Sequence, residues 1–428
     1  MGVLTPNRVT INNKRTNVMV YVLNTDGKPL MPTKRHHRVR QLLKKGEAVV
    51  VCCYPFTIML TTEKPRFVQE ISLGVDSGTR HIGVSATTCK ESMYSAEAIL
   101  RKDISDLIAT RRKIRRTRRK RLRHRPPRFD NRIASKKKGW LPPSTNNKVE
   151  FHKKVVRYVR SLLPIHEIAV EVASFDTQKL VNSDIEGEQY QHGEQEGFDN
   201  VREYVLWRDG HTCQHCKGKS GDCVLQVHHI ESRKTGGNAP NNIVTLCKTC
   251  HDRYHRGEIK LNVKRGKSLR DASVMNVIKD RLYEAIMADN PDIKVRYTYG
   301  YRTKQLRIAN GLPKSHVIDA MVISGNPLVK PSQEVWELTQ VRRHNRQIHK
   351  ANKLKGGKLQ RTQSAYNVMG FRLWDIVKYK GVLYTIKGKR TRGVFVLQRL
   401  HDGEKVDGVS AKKLRLVEIN NRLRKITK

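Results

Sequence analysis

The sequence predicts a multidomain α/β protein with a small β-barrel-like domain at the carboxy-terminal end. Three observations carry this prediction. Short apolar segments ending in carboxylates are scattered from Ile71 to Asp319. One arginine-rich run stands between them. Two Cys-x2-Cys pairs and a set of histidines form a separate block from about Asn200 to Leu261. At 428 residues and 37% hydrophobic content, the chain has room for several domains and at least one sizeable core.

The first sixty residues alternate like a small α/β unit. Val18 to Leu23 reads as a strand, Asp26-Gly27 as a turn, Val39 to Lys45 as a short basic helix and Ala48 to Cys53 as a strand. Ile71 to Asp76 is an apolar strand that ends in a carboxylate. The Ser77-Gly78 turn follows, then strands at His81 to Ala86 and Met93 to Ala98, which suggest a meander. From Arg111 to Arg128 there are ten Arg, two Lys and no acid, and nothing breaks a helix before Pro126-Pro127. Basic residues cover every face of that helix, leaving only Ile114 and Leu122 for a core. Arg suits bidentate phosphate contacts, so Arg111, Arg112, Arg115, Arg116, Arg118, Arg119, Arg121, Arg123 and Arg125 are expected to bind a nucleic-acid backbone.

Val149 to Leu163 has helical spacing and stops at Pro164, and Glu167 to Val172 is again a strand. Leu180 to Val201 inverts the charge, with six acids and no Lys or Arg, and marks a linker. Beyond the Cys/His block, Ile293 to Tyr299 reads as a strand and Lys314 to Ser324 as a helix. Arg342 to Gln363 is polar, basic and aperiodic. Phe371 to Val417 holds short strands with turns expected at Lys380-Gly381, Lys387-Gly388 and Asp402-Gly403, a spacing that suits a small barrel.

Charge narrows the function. Lys+Arg total 85 against 39 Asp+Glu, a formal +46, which calls for a polyanionic partner. The longest apolar run, Ala48 to Leu60, contains Pro55 and is shorter than the ~20 residues of a membrane span. There is no basic-then-apolar leader, and cysteines paired for metal indicate a reducing compartment. A cytoplasmic, nucleoid-accessible protein is expected.

Cys213, Cys216, Cys247 and Cys250 form two knuckles thirty residues apart, the tetrahedral four-thiolate shell that zinc prefers. Such a shell is closed, so this zinc is structural. Cys52, Cys53, Cys89 and Cys223 fit no pattern and are expected to be buried thiols. His228-His229 lies on a strand-like stretch, where one ring can bind a metal while the other faces a water. His251 and His255 are four apart, on one face of the helix expected after Cys250.

These residues, with Asn242 before Ile243-Val244, resemble the HNH (ββα-metal) nuclease motif. The resemblance implies His229 as general base, His228 and a helix histidine as ligands of one Mg²⁺, and Asn242 as the residue fixing the base-bearing loop. His251, His255 or both complete the ligand set.

Three further segments look like pieces of one site. Gly74-Val75-Asp76-Ser77-Gly78 and Ile168-Ala169-Val170-Glu171 each end a strand with an acid, and His316-Val317-Ile318-Asp319 puts His316 and Asp319 on one helix face. In this order they resemble motifs I to III of the RuvC (RNase H-like) nucleases. That implies Asp76, Glu171 and Asp319 as ligands of two Mg²⁺, and His316 as a base or water-orienting residue.

The order of parts resembles the IscB family of RNA-guided DNA endonucleases, transposon-encoded relatives of the CRISPR type II effectors. The implied fold is α/β multidomain, an RNase H-like (RuvC) core split by an Arg-rich bridge helix and an inserted ββα-metal HNH domain. The expected division is an amino-terminal PLMP domain over 1–65, named for Pro29-Leu30-Met31-Pro32, RuvC-I over 66–100, the bridge helix over 101–130 and RuvC-II over 131–182. The linker and HNH domain follow over 183–262, RuvC-III over 263–340, and a region reading RNA and the target-adjacent motif over 341–428. About twenty residues separate Pro127 from the helix at Val149, too few for a large recognition lobe, so RNA must supply more of the scaffold. The resemblance implies a monomer with one guide RNA (omega RNA) and a double-stranded DNA target. The HNH site would cut the guide-paired strand and the RuvC site the displaced one. Two other readings explain less: a binding regulator with decayed sites, and an RNA-independent HNH endonuclease, which accounts for neither the second site nor the charge.

Overall fold

A computed structural model describes residues 19–63, 67–122, 139–172, 195–233, 237–266, 269–332, 334–341, 349–351, 359–361, 364–400, 402–420 and 423–427. The chain divides into two compact units. The first comprises residues 1–173 and 277–428, the second residues 174–276.

The first unit opens with β1 (Tyr21–Leu23), helix α1 (His36–Lys44), β2 (Ala48–Cys53) and β3 (Phe56–Leu60). The sheet order is β1-β3-β2, with β1 and β3 parallel. Helix α1 turns Val39 and Leu42 onto the sheet, where they join Val20, Val22, Ala48, Ile58 and Leu60 in one core. The Asp26-Gly27 turn is held by Asn24, whose Oδ1 accepts from the backbone N–H of Asp26 and of Lys28, and Gly27 supplies the positive φ of 76°. Pro29 and Leu30 then run back along β1, with Leu30 N donating to Val22 O at 2.8 Å.

The principal sheet has seven strands in the order β10-β7-β4-β5-β6-β11-β19. β4 (Ser72–Asp76), β5 (His81–Thr87) and β6 (Ser92–Ile99) are the expected antiparallel meander. β7 (Glu167–Glu171) lies parallel to β4, and β10 (Lys294–Thr298) parallel to β7. β11 (Trp336–Gln340) continues the sheet beyond β6, and β19 (Leu423–Thr427) closes that edge. The central strands are buried on both faces, which is why they read as apolar runs: Leu73, Val75, Ile82, Val84, Ile168 and Val170 have no exposed surface. One face is covered by α3 (Pro143–Arg160), which starts six residues before the expected Val149 and buries Val149, Phe151, Val155, Val156 and Val159. His152, also buried there, is kept neutral, its pKa lowered to about 4 chiefly by desolvation.

The other packing helix is α8 (His316–Ile323), which lies against β4 and β5; Ser315 caps it by accepting from Ile318 N. Its approach depends on two glycines. A Cβ on Gly74 would fall inside the Ala320 carbonyl oxygen, and one on Gly83 inside that of His316. Gly83 is the cross-strand partner of Asp76, so the same contact brings the start of α8 over the acid.

Helix α2 (Ile104–Leu122) begins seven residues before the arginine run, with Asp106 in its first turn. Arg111, Arg112 and Arg115 are exposed and Ile114 is half-buried. Arg116, Arg118, Arg119 and Arg121 lie on the same helix, whereas Arg123, Arg125 and the Pro126-Pro127 stop lie outside the described residues. Most of the acidic linker and of 342–363 lies outside them too; β12 (His349–Ala351) and β13 (Leu359–Arg361) pair within the latter stretch.

Several expectations are corrected. Sequence periodicity passed over β3, β11, β19 and three helices, α4 (Val201–Arg208), α6 (Arg270–Asp289) and α7 (Gly300–Ala309). The tail forms a sheet ordered β17-β16-β15-β14-β18, from β14 (Ile376–Tyr379), β15 (Val382–Arg390), β16 (Val394–Arg399), β17 (Lys405–Ser410) and β18 (Arg415–Glu418). Among the described residues no ladder joins β17 to β18, so hydrogen bonding leaves the expected barrel open. Lys387-Gly388 is no turn but a bulge within β15, where Gly388 lets Val396 pack closely. Nor are all four unpaired thiols buried: Cys89 and Cys223 are exposed in turns, and Cys52 and Cys53 half-buried.

The glycine contact makes a prediction. Gly83→Ala should force α8 off the sheet and cost about 2–3 kcal/mol, the range of an overpacked core, in chemical denaturation. A variant as stable as the parent would show that the close approach does not hold.

Candidate active sites

In the first unit, the register Val75↔Val170 puts Asp76 and Glu171 at the same end of neighbouring parallel strands. The helix held down by Gly74 and Gly83 then brings two side chains over them. His316 Nδ1 lies 2.6 Å from Asp76 Oδ2, and Asp319 is close enough to raise the pKa of Glu171. The structure therefore brings together all four residues read from the split motifs.

The electrostatics are those of crowded carboxylates. Glu171 is pushed up to about 7, first by desolvation and then by Asp76, with a hydrogen bond from Thr303 Oγ1 at 2.8 Å opposing the rise. Desolvation and Asp76 also raise Asp319, against Arg307 and Lys314. His316 is raised by its bond to Asp76, which favours the imidazolium. Arg307 Nε stands 3.0 Å from Asp319 Oδ1 without hydrogen-bond alignment, so that buried oxygen keeps an unsatisfied acceptor. Crowded acids with an orphaned oxygen suit hard divalent cations, which need several carboxylate oxygens.

Sequence reasoning missed the supports of this site. Thr303 and Arg307 come from α7, a polar helix with little periodicity. Gly300, at its start, leaves room for Glu171 Oε1, which a Cβ would approach to 2.9 Å. His81 stacks on His316 with ring centroids 5.5 Å apart and planes 2° from parallel, and its Nδ1 lies 2.8 Å from Glu97 Oε1. His81, Glu97 and His316 could gather round an ion by distance alone. An imidazole lone pair lies in its ring plane, however, and two stacked rings do not aim at one ion. The pair is better read as a support for His316.

In the second unit, β8 (Leu225–His229) and β9 (Ile243–Cys247) form a hairpin, followed directly by α5 (Lys248–His255). Helix α4 (Val201–Arg208), capped by Asn200, packs Tyr204 and Val205 against Ile243. The thiols of Cys213, Cys216, Cys247 and Cys250 lie within 4.8 Å of one another. They are the expected four-thiolate set, and its soft donors fit zinc.

His228, His251 and His255 form a second cluster, also within 4.8 Å, with both helix histidines in it. The hairpin alternation turns His228 toward α5, while His229 goes elsewhere: its Nε2 lies 3.1 Å from Asn238 Oδ1. That partner was not legible in advance. Desolvation and the neighbouring histidines lower His228 to about 4, so it is neutral and able to ligate near neutral pH. Three imidazoles without an oxygen donor depart from the expected Mg²⁺, which prefers oxygen ligands; they fit a later first-row divalent ion. Asn242 is fully buried. Its Oδ1 accepts from Glu231 N at 2.9 Å, and its Nδ2 donates to Glu231 O at 3.0 Å and Gly237 O at 2.9 Å. It clamps the loop after His229 and touches no ligand group.

Comparisons with known proteins divide along the same lines. Residues 20–193 match the RRXRR protein family and residues 213–257 the HNH endonuclease family. Anaredoxin from Nostoc sp. is 44% identical over 39 residues, 9% of this chain and 51% of that protein. Streptococcus thermophilus Cas9 in complex with the GGAA PAM aligns with a TM-score of 0.32 at 14% identity, over 50% of this chain and 30% of that one. The Type II-C Cas9 enzyme from Actinomyces naeslundii aligns at 0.24 and 11%, over 60% and 59%. The chain thus spans about half of Anaredoxin and under a third of the Streptococcus enzyme. Among the described residues no helix is long and apolar enough to cross a membrane.

Two predictions follow from the geometry. The carboxyl of Glu171 titrates near 7 when folded and near its ordinary 4.5 when unfolded. As pH rises through that window the unfolded chain releases its proton first, so stability falls, and the penalty is complete above about 7. In chelator, Glu171→Gln should therefore melt higher than the parent at pH 8, by about 1–3 kcal/mol, and gain nothing at pH 4. An equal gain at both would deny the shift. Separately, Cys247→Ser should lower bound zinc, measured by elemental analysis, from one per chain toward none and loosen the second unit to protease.

Proposed function

We propose that this chain, IscB-like in carrying an RRXRR module followed by an HNH endonuclease module, is an RNA-guided DNA endonuclease with two cutting sites. The observation that carries the reading is the presence, in one chain of formal charge +46, of two chemically distinct clusters, one of carboxylates and one of imidazoles, each suited to hold divalent cations. The sheet supports it as well: antiparallel β6-β5-β4 continued by parallel β7 and β10 suits an RNase H-like (RuvC) core with its acids at the strand ends.

At the carboxylate site Asp76, Glu171 and Asp319 would hold two divalent cations. When bound, these supply charge neutralisation at the phosphate and a more acidic water. The chain's own residues do the positioning. Thr303 fixes Glu171, Arg307 attends Asp319, and Asp76 holds His316 through Nδ1. The Asp76 bond favours the imidazolium of His316, which suits orienting a water or phosphate oxygen through Nε2.

At the imidazole site His228, His251 and His255 would hold one divalent ion. His229 is the base: with Asn238 Oδ1 facing Nε2, that nitrogen carries the ring proton and Nδ1 keeps the lone pair that takes a proton from water. Asn242 acts through the backbone, fixing the loop that follows His229.

Guide RNA (omega RNA) and the target heteroduplex are the partners that answer the charge, with the exposed arginines of α2, Arg111, Arg112 and Arg115, on the phosphate backbone. The imidazole site cuts the guide-paired strand and the carboxylate site the displaced strand. The protein acts as a cytoplasmic monomer with one RNA.

The test begins with sequencing the RNA that copurifies with the chain, then cleavage of a plasmid matched to it. Asp76→Ala should leave a nick in the guide-paired strand only, and His229→Ala a nick in the displaced strand only, each removing the other cut by at least about 10³-fold. A displaced strand still cut by Asp76→Ala, or a paired strand still cut by His229→Ala, would overturn the assignment. Sequence-specific cutting by RNA-free protein would overturn the guided reading.

A further inference from the structure

We propose that Tyr297, Tyr299 and Tyr301 form a stacking platform for single-stranded DNA, which feeds the strand toward Asp76, Glu171 and Asp319. The inference rests on reading that site as the cutter of the displaced strand, and it adds the surface that would hold the strand.

The three rings lie where the edge strand β10 runs into α7. Their relative exposures are 53%, 38% and 57%, high for side chains that usually bury most of their ring. They pack on one another instead of on the core. Tyr297 and Tyr299 meet edge to face at 5.6 Å, and Tyr299 and Tyr301 are nearly parallel, 16° apart, at 6.0 Å. Tyr283 of α6 supports the far end, 5.5 Å from Tyr297, with its hydroxyl tied to Val295 O. Arg302 lies 5.8 Å from the Tyr301 ring centre and donates to the Tyr301 hydroxyl at 3.0 Å, adding a cation at the near end.

The ladder is joined to the carboxylates through the backbone. Val172, the residue after Glu171, donates to Thr298 O at 2.8 Å. Gly300 lies against Glu171 Oε1, and Thr303 bonds Glu171 Oε2. The segment that carries the rings is thus bound directly to the strand end that carries Glu171.

The chemistry selects the occupant. Exposed π faces beside a cation stack on unpaired bases of any sequence, whereas the bases of a duplex are already stacked on one another. A displaced strand is the single-stranded polyanion that a carboxylate cutter must hold, and its sequence varies with every target, so recognition by ring faces rather than by base edges is what the task requires.

The experiment measures binding of a fluorescein-labelled oligodeoxythymidylate, and of a duplex of equal length, to the full chain in chelator at about 0.3 M salt, where phosphate contacts are weakened. Changing Tyr297, Tyr299 and Tyr301 together to Ala should lower single-strand affinity at least about tenfold and leave duplex affinity unchanged, while the triple Phe variant stays within about twofold of the parent. Tyr301→Ala alone, at an exposed helix position where Ala is well tolerated, should lose about fivefold and guards against a misfolded triple variant. Unchanged single-strand binding in the Ala variants overturns the platform, as does a parallel loss for duplex. A Phe variant as weak as the Ala variant overturns stacking in favour of the hydroxyls. On guide-matched plasmid the Ala variants should slow displaced-strand cutting and spare the paired strand. Binding that behaves as expected in a chain that never cuts the displaced strand would sink the nuclease reading and leave the platform standing.

Discussion

The carboxylate site depends on one steric constraint, the absence of side chains at Gly74 and Gly83. Each glycine lets a carbonyl of α8 press onto the sheet where a methyl group would overlap it. Because Gly83 faces Asp76 across the β4–β5 ladder, that contact sets the height of His316 above the acid. The meeting of residues 76, 171, 316 and 319 is therefore secured by packing at positions that carry no functional group.

The two clusters solve the problem of holding a cation in opposite ways. In the first unit like charges are forced together, and the cost appears as the raised carboxyls of Glu171 and Asp319. Only partial relief comes from Thr303, Arg307 and His316. In the second unit the donors are imidazoles, and desolvation with the neighbouring histidines lowers the pKa of His228 to about 4 and keeps it unprotonated. The first cluster offers hard oxygen donors and the second softer nitrogen donors, so the two would select different ions from one solution.

Much of this was legible in the sequence, for reasons that differ by element. The cysteine spacing and the paired histidines are local, so the four-thiol group, the strand carrying His228-His229 and the helix carrying His251 and His255 stand where the spacing puts them. The sheet strands that end in Asp76 and Glu171 were legible because burial on both faces makes them apolar runs. What escaped was carried by weak or unread patterns. Helix α6 does space Met275, Ile278, Leu282 and Ile286 for a buried face, but among polar neighbours. Helix α7 buries only Thr303, so periodicity had nothing to report there. Asn238 and His81 support functional rings across space, which no single-sequence pattern encodes. The zinc-free cysteines were misjudged for a similar reason: Cys89 and Cys223 stand in turns whose exposure depends on strands not yet placed.

The connection between β7 and β10 has a consequence for biosynthesis. These strands are neighbours in the sheet, yet roughly a hundred and twenty residues, including the whole second unit, are made between them. At ordinary rates of bacterial synthesis β7 therefore waits on the order of ten seconds with its outer edge unpaired, while the inserted unit emerges and gathers its four thiols. The ribosome therefore delivers the whole four-thiol insert before the strand that completes this side of the sheet.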